Sequence, residues 1–234
     1  MKTSFWQVTM RRSVKLSKTY FVLGAFMSVY GTVMSNLMSL IPAADLGDTP
    51  IEFLNSFPLL SVALLSLSAL FFSLPVVMLF VYDKNSGVLE YLLSTGLDQL
   101  DIFKGYVKAS LSLATSLLVF STLLNTAVGI FLGNSLGLLA IIAVLTFAIG
   151  ISEVLLVTVS MMAFSSLQKT PMGANQPLGI VIGIIPMFPA LILPMVIPSH
   201  AVVIDLLIAT ATLLVSLALL ASIKQLILRE KLLP

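Results

Sequence analysis

The sequence predicts an all-α polytopic membrane protein with six transmembrane helices and both termini cytoplasmic. Three observations carry this. Hydrophobic residues make up 59% of the 234 positions and charged residues 9%, where an ordinary soluble domain carries about a quarter charged. The charges fall in clusters separated by long uncharged stretches. All basic residues then fall on one side of the resulting topology. Disorder is excluded, because disordered chains are poor in apolar residues. With no cysteine in the chain, a disulfide scaffold is excluded as well, and redox compartment cannot be read.

The uncharged stretches place the helices. There are 26 such residues between Lys18 and Asp45 and 30 between Glu52 and Asp83. Another 44 separate Lys108 from Glu153, room for two crossings broken at Gly133-Asn134-Ser135-Leu136-Gly137. After Lys169, 35 uncharged residues reach Asp205, and 18 more reach Lys224. A helix needs about 20 apolar residues to cross about 30 Å of hydrocarbon. Spans are therefore expected at about 20–41, 58–82, 109–132, 137–164, 177–197 and 201–223. Strands are not expected, since the apolar stretches are continuous rather than alternating. The division is an interfacial amphipathic segment over 1–19 and one six-helix domain over 20–234, with a cytoplasmic loop at 83–108.

Lys2, Arg11, Arg12, Lys15 and Lys18 precede the first span, and Lys84, Lys104 and Lys108 lie between spans two and three. Lys169 lies between four and five, and Lys224, Arg229 and Lys231 follow six. The opposite side holds Asp45, Asp48, Glu52, His200 and Asp205. Lysine and arginine mark the cytoplasmic side. The first span is too long for a signal-peptide core and is expected to be retained.

Chain-borne chemistry is not expected. No Gly-x-x-x-x-Gly-Lys-Ser/Thr loop occurs, and a single histidine, His200, cannot build a zinc site within the chain. Neither a catalytic residue nor a metal is therefore assigned, and the protein is not expected to be an enzyme by itself. The basic residues read as anchors at lipid headgroups, not as a nucleic-acid patch.

The informative segment is 83–108. Leu89, Leu92, Leu93, Leu97, Leu100 and Phe103 recur at helical spacing, with Glu90, Asp98, Gln99 and Asp101 elsewhere. Gly96 is expected to break the helix and Asp98 to cap a second one running into span three. Such an element suits either the headgroup layer or a cytoplasmic partner.

The stretch Gly87-Val88-Leu89-Glu90-Tyr91-Leu92-Leu93-Ser94-Thr95, followed by Asp101-Ile102 and Lys104-Gly105, resembles the signature loop of ABC type-2 transporter permeases. That family shows Gly-Thr/Ser-Leu-Glu-x-Leu-Leu-x-Thr, then an acidic-Ile pair and Gly-Lys. Val88 and the order Lys104-Gly105 depart from this pattern. The run Gly179 to Ile197 is similar, more weakly, to haem-exporter permeases of cytochrome c maturation. The resemblance implies an ABC type-2 exporter-like permease, multi-pass in the plasma membrane. Its motor would be a separate nucleotide-binding subunit holding ATP and Mg, and a second permease copy or a related permease would complete the unit. It implies that Gly87, Leu89, Glu90, Leu92, Leu93, Asp98 and Asp101 form an ATPase-coupling helix. Residues 4–18 resemble the family's interfacial connecting helix, or are an ordinary aromatic-and-basic anchor.

Gly24, Ser28, Gly31 and Ser35 form one small-residue face of span one, and Gly179 and Gly183 punctuate span five. Such faces serve close helix packing. In permeases of this kind the same two helices line the dimer seam and path. Pro186, Pro189, Pro194 and Pro198 preclude a straight fifth span, and the resemblance suggests a short outer re-entrant helix. Glu153 sits near the middle of span four, where a charge costs about 2.5–3.5 kcal/mol. It is expected either in a hydrogen-bond network with Ser152, Ser160 or neighbouring hydroxyls, or at a substrate or ion contact. Two other classes stay open. One is an ion-coupled secondary transporter, which needs several buried ionisable groups. The other is a non-transporting membrane assembly subunit.

Overall fold

The computed structural model describes residues 4–37, 51–164, 185–193 and 196–222, with the side chains of 37, 51–58, 60, 163, 164 and 198 outside that description. Among these residues the structure is helices joined by turns, with no strand. The helices are α1 (Phe5–Leu16), α2 (Lys18–Leu37), α3 (Ile51–Asn85), α4 (Val88–Ser94), α5 (Gln99–Phe131) and α6 (Leu136–Phe164). A short α7 (185–193) follows, then a single 3-10 turn at Pro198–His200 and α8 (Ala201–Ala221).

Four helices among the described residues are long and apolar enough to cross a membrane: Ser61–Asn85 of α3, α5, Leu136–Met162 of α6, and α8. Six were expected. The span expected at 20–41 is α2, diluted by Gly24, Ser28, Gly31, Thr32, Ser35 and Asn36, and residues 38–41 lie outside the described residues. Part of the span expected at 177–197, residues 177–184, 194 and 195, also lies outside them, including Gly179 and Gly183; α7 carries Pro186 and Pro189 within nine helical residues.

The break expected at Gly133–Gly137 is a short turn at 132–135. It is closed by Gly133 at φ 82° and by a hydrogen bond from the Asn134 amide to the Gly129 carbonyl (2.9 Å). Helices α3 and α5 have 35 and 33 residues, about 50 Å each at 1.5 Å per residue. Both outreach the hydrocarbon of a bilayer, about 30 Å thick. Their ends meet at α4.

The core has one layer at that end, where Val76, Leu79, Phe80, Leu89, Ile102, Phe103, Tyr106 and Met162 are buried together. At the other end Leu59, Val62, Ile142, Leu145, Ile149, Ala201 and Ala209 join α3, α6 and α8. Helix α8 contributes only a narrow buried stripe, Ala201, Asp205, Ala209, Thr212 and Ser216. Its remaining surface is exposed leucine and valine, as suits a helix bordered by lipid.

Candidate functional site

The candidate site is α4 and what holds it. Gly87 precedes the helix at φ 75° and Gly96 follows it at φ 87°, a region glycine occupies without strain. At the C-terminal end the Gly96 amide donates to the Leu93 carbonyl (3.1 Å) and the Leu97 amide to the Leu92 carbonyl (3.4 Å). This is the Schellman pattern that stops a helix sharply. Asp98 stands at the N-cap position of α5 with extended backbone, but its side chain makes no capping bond. The expectation of a side-chain cap there is corrected; the backbone carbonyl of Asp98 receives the Asp101 and Ile102 amides instead.

Leu89 is 1% exposed and belongs to the core, with Leu92 and Leu93 half-buried against the same layer. The leucine face expected to meet a partner faces inward, because a seven-residue helix packed on α3 and α5 has one side left to show. That side presents Glu90, Tyr91, Ser94, Thr95, Leu97 and Asp98, with Asp101 exposed on the first turn of α5. Tyr91, 68% exposed, is the residue sequence reasoning passed over. Its signal was its place in the motif, beside Glu90.

Behind α4 sits a clamp that no motif announced. The Arg12 guanidinium donates two hydrogen bonds to the Asp83 carboxylate, at 2.9 and 2.6 Å, and the Tyr106 hydroxyl donates a third at 2.6 Å. Asp83 and Tyr106 are fully buried. The Tyr106 ring is met edge-on by Phe5 and Phe80, with centroids 5.6 and 5.1 Å away. Gly105 gives Phe5 its seat, since a Cβ there would collide with the Phe5 ring. Thus α1 is pinned to the last turn of α3 and the first turns of α5, the two helices that carry α4. Thr9 and Ser13 are its buried residues and bond to their own helix's carbonyls, which lets α1 lie close.

The small-residue face of α2 is engaged within the chain. A Cβ on Gly24 would come within 2.6 Å of Phe72, and one on Gly31 within 3.0 Å of Leu64. The Ser28 hydroxyl donates to Ser121 (2.7 Å), and Ser35 donates to Asn125 (2.8 Å). Asn134 donates to Asn36 at 3.0 Å, extending the polar seam to the turn after α5. Gly24, Ser28, Gly31 and Ser35 therefore pack α2 on α3 and α5.

Glu153 is fully buried, and neither of its carboxyl oxygens has a hydrogen-bond partner among the described residues. Neither Ser152 nor Ser160, the named hydroxyls expected to bond to it, does so among the described residues. Ser152 donates to the Ala148 and Ile149 carbonyls, Ser160 to those of Leu156 and Val157. Ser66 lies within its influence, but the Ser66 hydroxyl is engaged with the Ala63 carbonyl at 2.9 Å. Asp205, expected on the outer surface, is a second fully buried acid, with both oxygens unpartnered among the described residues. The signal available was its position four residues inside the sixth span, with Thr212 and Ser216 on the same face. No group of three metal-ligating side chains occurs among the described residues. Comparison with protein families, curated proteins and solved structures gives no match to this chain.

Proposed function

We propose that the chain is the membrane-spanning permease subunit of an ATP-driven exporter of the ABC type-2 class. It would sit in the plasma membrane with both termini cytoplasmic. A separate nucleotide-binding subunit holding ATP and Mg would press on α4, and a second permease would complete the path. The carrying observation is the build of α4: a short helix stopped by glycines at both ends, its inner face in the core and its acidic and aromatic face bare. Push on such a knob passes into α3 and α5 as rigid bodies, and through the Arg12–Asp83–Tyr106 clamp into α1. Glu90, Tyr91, Asp98 and Asp101 are the contact residues in this reading, with Leu89, Leu92 and Leu93 supporting them from within. The test is co-purification with the cognate ATPase followed by Glu90→Arg. Loss of the complex and of stimulated ATP turnover is expected; unchanged assembly and turnover would sink the coupling role.

A second reading, an ion-coupled secondary transporter, is favoured by Glu153 and Asp205, two sealed acids without partners. Uptake by proteoliposomes driven by a proton or sodium gradient with no ATPase present would decide for it.

A further inference from the structure

One face of α5 is exposed among the described residues. Lys108, Leu111, Ser112, Thr115, Ser116 and Val119 line an open groove of about 650 Å³, within the range of small-molecule sites, about 300–1,000 Å³. Lys104 is exposed one turn before Lys108 on the same side. The hydroxyls run from there into the apolar span, Thr115 lying about 10 Å beyond Lys108 along the helix.

A hydroxyl that faces lipid normally bonds back to its own helix. Thr210 on the outward side of α8 does so, donating to the Leu206 carbonyl at 2.9 Å, and Ser116 donates to the Leu113 carbonyl at 2.7 Å. Ser112 and Thr115 make no such bond among the described residues, and neither lysine has an ion pair there. Two free cations at the mouth, two unengaged hydroxyls below them and apolar side chains beyond match one kind of molecule. Its head is anionic, with oxygens to accept from lysine and hydroxyl donors, and its tail is hydrocarbon to lie along Val119 and the exposed Phe120.

We infer that this face of α5 is a binding groove for an anionic phospholipid, with Lys104 and Lys108 on the phosphate, Ser112 and Thr115 donating to the ester carbonyls of its glycerol backbone, and the acyl chain over Val119 and Phe120. The inference rests on α5 spanning the membrane and is independent of any ATPase. Long lysine stems let the ammonium groups reach the headgroup level from inside the boundary.

The full-length protein, released from micelles holding equal phosphatidylglycerol and phosphatidylcholine, is examined by native mass spectrometry. The wild type is expected to retain phosphatidylglycerol about thirtyfold over phosphatidylcholine, the scale that two interfacial lysines set at about 1 kcal/mol each. K104Q/K108Q should bring the ratio close to one, and S112A/T115V should lower the total lipid retained several-fold at unchanged thermal stability. Equal retention by the wild type overturns the proposal. Loss in the lysine variant with no change in the hydroxyl variant also overturns it, because the lipid is then held by surface charge and not by the groove. So does efficient disulfide pairing of Thr115→Cys, in a chain with no other cysteine, in vesicles containing phosphatidylglycerol. A second copy of the chain would then cover the face.

Discussion

Asp83 shows how much one side chain decides. Its carboxylate has no exposure and receives three hydrogen bonds from two other helices. Hydrogen bonds to a charged group contribute about 1.5–3 kcal/mol, and removing Asp83 also strands the Tyr106 hydroxyl. Asp83→Ala is expected to lower unfolding free energy by about 2–4 kcal/mol on that basis. Arg12→Ala should cost less, since Arg12 keeps 39% of its side chain in solvent. The single tryptophan, Trp6, half-buried on α1, reports the outcome. Its emission should shift to the red in both variants as α1 comes away, and an unshifted spectrum would show that α1 is held by other contacts. Glu153 should behave in the opposite sense. A buried polar group without a partner costs about 1–3 kcal/mol, so Glu153→Leu is expected to leave thermal stability unchanged or raise it. A large fall in melting temperature would mean that the carboxyl is paired in the working protein.

At the scale of the element, α4 is defined by its ends. Seven residues are too few to be a stable helix alone, so its order comes from Leu89 in the core and from the two glycines that set its direction. A side chain in left-handed backbone costs about 1–2 kcal/mol. Gly96→Ala should therefore destabilise by about that much and loosen 86–98, read as faster proteolysis within the segment while α5 stays protected. Uniform protection would show that the stop is set by packing alone. Gly105→Val acts on the neighbouring element. The added side chain displaces Phe5, so α1 undocks and the Trp6 emission shifts as it does for Asp83→Ala.

For the whole molecule, the orientation can be checked directly because the chain contains no cysteine. Thr95→Cys, exposed after α4, and Ser135→Cys, exposed in the turn between α5 and α6, should be labelled by an impermeant thiol reagent from opposite sides. Thr95→Cys should react from the cytoplasm and Ser135→Cys from outside. Labelling of both from one side would refute the alternating topology.

Composition and charge spacing were enough to read a helical membrane protein, the positions of α3, α5, α6 and α8, and the break at Gly133. They were enough because burial in hydrocarbon demands long uncharged helices, and that demand is local in sequence. The stop at Gly96 was legible for the same reason: left-handed turns need glycine next to the residues they turn, whereas the matching turn at Gly87 came from the structure. Which face of each helix meets which neighbour was not legible. When almost every side chain is apolar, periodicity no longer separates the protein side from the lipid side, so Leu89 read as a contact surface and the helices met by the small face of α2 could not be named. Only the packed structure joined Arg12 to Asp83 across 71 positions, because charge pairing over that distance depends on where folded helices bring their ends. Only it found Asp205 indoors, because a residue near a span's end can lie in water or in protein, and its neighbours in space decide which.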